Sequence, residues 1–313
     1  MNKLSLAFFG APDFAADVLR QVIEDESLPV EVKFVVTQPD RPAGRNQTLT
    51  PTPVKLLAQK YTISVFETLH VTRPIFHDVD LVLLYAYGEL IPKNMLKIPH
   101  WGFWNIHPSL LPLYRGPSPI TYPLLLGDKK TGVSLIQMDE RLDSGPIIDQ
   151  EEYVIQSTDT QEILRKRLSD IGYKLFKKNV LLLAGGALQK KEQDNAKATF
   201  TRLLTKKDGF VPFPIVQKIV KGELPVKEEP LPIFSDYYTK NKLPFSVDLK
   251  NMIWNYYRAL SPWPGLWTLI PGDKRLKITK MELQNGVPKI THVQLEGKKE
   301  VDFNTFQTAY IAF

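Results

Sequence analysis

The sequence predicts an α/β protein: a Rossmann-like, mostly parallel sheet, followed by a small C-terminal β-barrel of the OB type. Three observations carry this. Residues 4–9 form an apolar run of strand length and 30–36 read as a second strand, with an amphipathic helical stretch between them, the strand–helix–strand signature of a parallel sheet. Residues 80–86 read as another buried strand, apolar from Leu81 onward, as a strand covered on both faces requires. Beyond Leu260 the pattern changes to short alternating segments at 266–270, 275–281, 290–296 and 305–313, which suit a small barrel. At 313 residues the chain is long enough for two bodies.

Taken in order, the first strand stops at Gly10, and Pro12 and Asp13 open a helix. Phe14, Val18 and Val22 recur at helical spacing, with Leu19 and Ile23 widening the apolar stripe. The second strand leads into 37–47, a long polar loop with two prolines and two arginines. A helix with proline in its first turns is expected over 51–60, a short strand over 63–66 and a short helix from Pro92. A strand over 103–107 ends at Pro108, whose ring and missing N–H prevent a helix from starting there. A helix over 119–126, an alternating strand over 132–138 and an antiparallel strand over 147–155 follow. Thr158, Asp159 and Thr160 offer N-caps for a long amphipathic helix over 160–183 that Gly185 and Gly186 terminate. These patterns divide the chain into a domain at 1–188, a basic linker at 189–208 and a C-terminal domain at 209–313. A helix is expected at 249–260, whereas 222–246, rich in proline and charge, resists assignment.

Charge is unevenly placed. Residues 1–188 carry 20 Lys/Arg against 21 Asp/Glu, and residues 189–313 carry 20 against 13, so the whole net charge of +6 comes from the last part. A basic appended domain implies a polyanionic partner, nucleic acid first. Cysteine is absent, which excludes disulfide and thiolate chemistry. No apolar run reaches the ~18 residues of a membrane span, and the start lacks the apolar core of a signal peptide. A cytoplasmic protein with no membrane partner is expected. Gly10 stands alone after the first strand, without a G-x-G-x-x-G pattern or a Walker lysine, so a nicotinamide or ATP cofactor is disfavoured. The histidines 70, 77, 100, 107 and 292 form no metal-binding helical pair, and no metal is expected; His70 and His77 read as surface residues.

The chemistry concentrates around one strand end. Asn105 and His107 are two apart, so an extended strand aims both at one spot. Asp143 follows the strand at 132–138. If that strand ran parallel to 103–107, all three side chains would open on one crevice at the carboxyl ends. A carboxylate beside an imidazole fixes its tautomer, and an amide with an imidazole can stabilise charge on a reacting carbonyl oxygen. The set points to acyl-type transfer onto a nucleophile supplied by a substrate. A serine hydrolase using Ser109, His107 and Asp143 is the competing reading, but the G-x-S-x-G turn is missing. Arg41 and Arg45 mark a candidate recognition loop for phosphates or base edges. Lys206, Lys207, Lys274, Arg275 and Lys277, interleaved with Trp263 and Trp267, outline a groove that could track a nucleic-acid backbone, with the tryptophans read as core.

Several segments add a resemblance. They are Phe9-Gly10-Ala11-Pro12-Asp13, Thr37-Gln38-Pro39-Asp40-Arg41-Pro42-Ala43-Gly44-Arg45, Ala86-Tyr87-Gly88 with Ile91-Pro92, Asn105-Ile106-His107, Ser109-Leu110-Leu111-Pro112, Arg115-Gly116, Leu142-Asp143-Ser144-Gly145 and Pro262-Trp263-Pro264. Together they resemble the methionyl-tRNA formyltransferase family, within the superfamily that uses 10-formyltetrahydrofolate. The resemblance implies formyl transfer from that folate to the α-amine of methionyl-initiator tRNA for translation initiation. It implies that Asn105 and His107 polarise the formyl oxygen and hold the tetrahedral intermediate, and that Asp143 orients His107 and helps move the amine proton. Ser109, Leu110, Leu111 and Pro112, with Tyr87 and Gly88, would bind the folate. Arg41 and Arg45 would meet the tRNA acceptor end, and the C-terminal domain, with Lys206 and Lys207, would hold its backbone. A monomer is expected. The alternative is a formyltransferase acting on a nucleotide-linked amino sugar, which shares Asn105, His107 and Asp143 but needs neither the arginine loop nor the basic tail. The chain departs from the family at Asn46-Gln47-Thr48, where glycine and lysines are usual, and at Pro108, which replaces a common glycine. Residues 208–246 match it poorly.

Overall fold

A computed structural model describes residues 3–43, 47–68, 76, 78–223, 231–244 and 249–310. Arg45, Asn46, His70, His77 and parts of the unassigned 222–246 stretch lie outside them. The chain forms two compact units, interleaved in sequence: Met1–Pro117, Thr131–Tyr153 and Arg165–Thr199 make the first, and Ser118–Lys130, Val154–Leu164 and Phe200–Phe313 the second.

The first unit opens with β1 (Leu4–Phe9), α1 (Asp13–Glu24) and β2 (Val30–Val36). Asp13 carries negative charge in the first turn of α1, where the helix dipole favours it. The expected loop then proves to be a hairpin of β3 (Arg41–Ala43) and β4 (Thr48–Thr50). Its strands are three residues each, too short for an apolar run or a sustained alternation to mark them. α2 (Pro53–Lys60) follows, with Thr52 accepting the Lys55 N–H at 3.1 Å and Pro53 in its first turn. Next come β5 (Ser64–Phe66), β6 (Leu81–Leu84) and β7 (Phe103–His107). Between β6 and β7 the helix expected from Pro92 is a run of turns. Then come α3 (Thr121–Leu126), in the second unit, β8 (Lys130–Gln137), β9 (Ile147–Val154) and α4 (Gln161–Ala184).

The sheet has the order β5-β2-β1-β6-β7-β8-β9. Neighbours from β5 to β7 are parallel, and β8 runs antiparallel to β7. Ile155 donates to Lys129 at one end of the β8–β9 pair and Gln137 to Pro146 at the other, so β9 is antiparallel in turn. Every residue of β6 and β7 is buried, which explains why β6 reads as an uninterrupted apolar run. Phe9 lies at the middle of an aromatic cluster, with ring centroids 5.8 Å from Phe76, 5.2 Å from Tyr87 and 5.6 Å from Phe103.

The second unit contains α3 with α5 (Phe213–Lys221), α6 (Pro232–Asn241) and α7 (Leu249–Leu260). The antiparallel strands expected after Leu260 are β10 (Leu266–Ile270), β11 (Lys274–Gln284), β12 (Val287–Leu295) and β13 (Glu300–Asp302), a four-stranded sheet in that order. The strand expected at 305–313 is instead α8 (Phe303–Ala309). The Asp302 carboxylate accepts the Asn304 and Thr305 N–H groups, and Phe303 and Phe306 bury one face at helical spacing. Among the described residues no helix is long and apolar enough to cross a membrane.

A half-buried ion pair secures the start of the C-terminal stretch. Arg202 donates to both oxygens of Asp208 at 2.6 and 2.9 Å, and Thr205 donates its N–H and hydroxyl to the same carboxylate. Burial pushes the Asp208 carboxyl up, but the Arg202 and Thr205 bonds outweigh it, and its pKa lies below the ordinary value. A depressed acid stabilises the fold at every pH above its unfolded pKa and loses that contribution as pH falls through the folded one. Asp208→Asn should therefore destabilise the protein by about 2–3 kcal/mol at pH 7. Thermal unfolding against pH checks this: the gap between variant and parent should narrow once pH drops below about 4.

Candidate active site

The three predicted polar residues converge, though not by the expected route. Because β8 runs antiparallel to β7, its carboxyl end lies beside the start of β7, with Gln137 opposite Trp104. The 138–146 loop therefore returns to Asn105 and His107 from the opposite end of the strand, not from a shared carboxyl-terminal crevice. Asp143 reaches them with Oδ1 at 3.5 Å from Asn105 Nδ2 and 3.7 Å from His107 Nδ1. Its backbone has φ +47°, a left-handed conformation that a residue with a Cβ adopts only when its surroundings hold it there.

Asn105 and His107 are both buried. His107 Nε2 lies 3.1 Å from the Tyr114 carbonyl oxygen. A carbonyl can only accept, so Nε2 carries the proton and Nδ1 is the nitrogen turned toward Asp143. Gly116 donates its N–H to Asp143 Oδ2 at 2.7 Å. The result is a carboxylate, an imidazole nitrogen and an amide donor grouped on one face of a buried strand. That set can stabilise an oxyanion and carry a proton.

Ser109 is fully buried, and its hydroxyl donates to the Leu113 carbonyl at 2.7 Å. This engagement removes the basis for a serine nucleophile. The 109–112 segment is shaped by Ser134, a residue the sequence reading passed over. Ser134 pairs across the sheet with His107. Its hydroxyl donates to Ser109 O at 2.6 Å, and accepts from Leu111 N at 3.0 Å and Gln150 Nε2 at 2.7 Å. Gln150 Nε2 also reaches Leu111 O at 2.9 Å. Leu111 is buried, while Leu110 and Pro112 keep part of their surface accessible. Tyr87 points into the aromatic core, and its carbonyl accepts from Gln38 Nε2 at 2.8 Å. Gly88 is the exposed member of that pair, at φ +85°.

Arg115, from one of the segments that carry the resemblance, and Gln193, which no pattern announced, are two further buried polar residues. Gln193 sits in the stretch expected to be a linker, but residues up to Thr199 belong to the first unit. Tyr114 N donates to Thr199 Oγ1 and Arg115 N to Thr199 O, both at 2.8 Å. Burial draws the Arg115 pKa down, and the nearby Asp143 charge opposes it.

Of the predicted nucleic-acid residues, Arg41, Lys206 and Lys207 are exposed, and Arg45 lies outside the described residues. Arg41 is exposed on β3, and Lys55 bonds Asp40 and Glu67 at 2.7 and 2.5 Å beside the hairpin's base. In the second unit Lys206, Arg275 and Lys277 line a cleft of about 320 Å³ together with Trp263 and Trp267. Trp263 is 51% exposed, so it is no core residue; it sits in a turn between Pro262 and Pro264. Lys207 is exposed on the short helix Lys206–Gly209.

Comparison with known proteins agrees with the fold. The formyl transferase family model matches residues 3–180, and the model of the formyl transferase C-terminal domain matches 247–289. A methionyl-tRNA formyltransferase from Caldicellulosiruptor saccharolyticus is 32% identical, over 98% of this chain and 97% of that protein. One from Geobacter sulfurreducens is 34% identical over 95% of this chain and 85% of its own length. Among solved structures, a 4-N formyltransferase from Francisella tularensis superposes with a TM-score of 0.63 at 14% identity, covering 90% of this chain and 98% of that one. An N-formyltransferase from Helicobacter canadensis, solved with folinic acid and dTDP-3-aminofucose, gives 0.57 at 18% identity over 96% and 99%. At such identities these two structures speak for the fold alone.

Replacing Ser134 by Ala leaves Leu111 N without its acceptor and Ser109 O without its donor. The expected cost is about 1–3 kcal/mol, read as a lowered urea midpoint with an unchanged slope.

Proposed function

The chain belongs to the methionyl-tRNA formyltransferase family, and from that membership we propose how its residues divide the work. It is a formyl transferase that formylates methionyl-initiator tRNA. The proposed formyl donor is 10-formyltetrahydrofolate, and the proposed setting is a monomeric enzyme in the cytoplasm. The observation that carries the assignment is the convergence of Asn105, His107 and Asp143 within 3.5–3.7 Å on one buried strand face.

When bound, the folate supplies an activated formyl group. The segment 109–112 fits a flat, partly apolar ligand through Leu110 and Pro112, whose surfaces remain accessible, while Ser109 and Leu111 shape the loop from within. Gly88 offers exposed backbone, and Tyr87 supports it from the core. The Asn105 amide stabilises the charge that grows on the formyl oxygen as the methionyl amine attacks, and the His107 imidazole joins it once Nδ1 takes up a proton. With Nε2–H committed to Tyr114, proton exchange falls to Nδ1, and the Asp143 carboxylate compensates the charge a proton brings there. The net reaction moves one proton from the amine to the leaving nitrogen, and the His107–Asp143 pair can carry it. Arg41 and Arg45 are assigned to the acceptor end of the tRNA. Lys206 and Lys207, with the basic C-terminal part, are assigned to its backbone, where lysines act as point charges.

Asn105→Ala, His107→Ala and Asp143→Ala should each lower kcat about 10²–10³-fold while leaving the unfolding temperature near that of the parent. Near-full turnover in any one would remove that residue from the mechanism. Arg41→Ala should raise KM for the charged tRNA and leave KM for the folate unchanged; an unaltered kcat/KM for tRNA would refute its assignment. Incubation with the folate and either charged initiator tRNA or a nucleotide-linked amino sugar decides the acceptor, with formylation of the tRNA expected.

A further inference from the structure

Asp143 needs support, because its left-handed backbone is not self-sustaining and its carboxylate is the one that reaches Asn105 and His107 among the described residues. The loop lies close against the sheet: a Cβ placed on Gly145 would fall 1.8 Å from the Gln137 carbonyl oxygen. Two groups hold the turn from one side. Gln193 Nε2 donates to the Asp143 and Gly145 carbonyls, both at 2.8 Å. Gln193 Oε1 accepts from Arg115 Nη2 at 2.7 Å and Nε at 3.2 Å, and Arg115 Nη2 also donates to Asn195 Oδ1 at 2.8 Å. The residue after Arg115, Gly116, grips the carboxylate itself.

Resting on the assignment of Asp143 to the reaction, we propose that Gln193 is a positioning residue: it holds the Asp143–Gly145 turn so that the carboxylate faces Asn105 and His107. The chemistry of the position is narrow. Two carbonyls demand a donor with two hydrogens, and the guanidinium demands an acceptor. A primary amide satisfies both at once, whereas a carboxylate serves only Arg115 and a cation serves only the carbonyls.

That asymmetry gives the test. Gln193→Glu keeps the Arg115 contact and loses both donations to the turn; Gln193→Ala loses everything. Both are measured for kcat and for KM toward each substrate, with a pH profile of kcat/KM and thermal unfolding. Gln193→Ala is also measured on an Asp143→Asn background. Gln193→Glu should lower kcat about 10–100-fold, with both KM values within about threefold and the unfolding temperature preserved, because small displacements at a reacting centre are costly. The pH profile should change shape. On the Asp143→Asn background Gln193→Ala should cost under about twofold, since the group it positions is gone. The proposal fails if Gln193→Glu retains parental kcat, or if Gln193→Ala costs the same factor on both backgrounds. If Gln193→Ala does not fold, the Glu variant alone decides. An Asp143→Asn enzyme with full activity would overturn the role of Asp143 and this inference with it. An inactive Asp143→Asn enzyme beside fully active Gln193 variants would overturn this inference alone.

Discussion

Two polar side chains sit on a strand that is buried from end to end, and most of the site follows from having to satisfy them. β7 is covered on both faces, so Asn105 and His107 have little water to turn to. The Tyr114 carbonyl takes one imidazole nitrogen and thereby decides which one faces Asp143. The loop after β8 supplies the facing carboxylate. To do so it adopts a backbone conformation that main-chain donors and the Gln193 amide must maintain. Each partner is itself held by another, so the network extends outward from the strand: through Gly116 and Arg115 to Gln193 and Asn195, and through the adjoining backbone to Thr199. A buried polar network of this kind fixes one geometry because a half-satisfied alternative is expensive.

The loop after β7 obeys the same logic. Ser134 is one small hydroxyl on the neighbouring strand, yet it bridges Ser109, Leu111 and Gln150. The segment that presents Leu110 and Pro112 is thus held from inside, and its backbone needs no help from a ligand to keep its course. Under the proposed role of this segment, such rigid support lowers the ordering cost of binding.

Legibility in the sequence followed periodicity. β1, α1, β2 and β6 could be read because apolar runs and helical spacing survive without knowledge of neighbours. Asn105 and His107 were readable because two-residue spacing on a strand has one geometric meaning. Asp143 was found in spite of a wrong strand direction: proximity in sequence to β8 sufficed, while the sense of β8 depends on tertiary pairing that no local pattern records. The β3–β4 hairpin and α8 went unread for related reasons, since one has strands of only three residues and the other is announced mainly by a single capping carboxylate. Gln193 gave no signal. It sits among Glu192, Asp194 and Asn195 in what reads as solvated linker, and only the fold shows that its amide is buried. Trp263 erred the other way, because a tryptophan's bulk suggested core where two flanking prolines lift it into a turn.

The interleaving of the two units has a consequence for how the protein is made. Synthesis runs from the amino end, yet α3 emerges long before α7, the helix it packs against, and its own unit is completed only by chain from Phe200 onward. The first unit closes sooner, but it still waits for residues up to Thr199, which hydrogen-bond to Tyr114 and Arg115. On a translating ribosome neither body can finish as a simple amino-terminal module. The nascent chain must keep α3 and its Tyr122, which is buried in the finished protein, waiting for a partner helix encoded more than a hundred residues later.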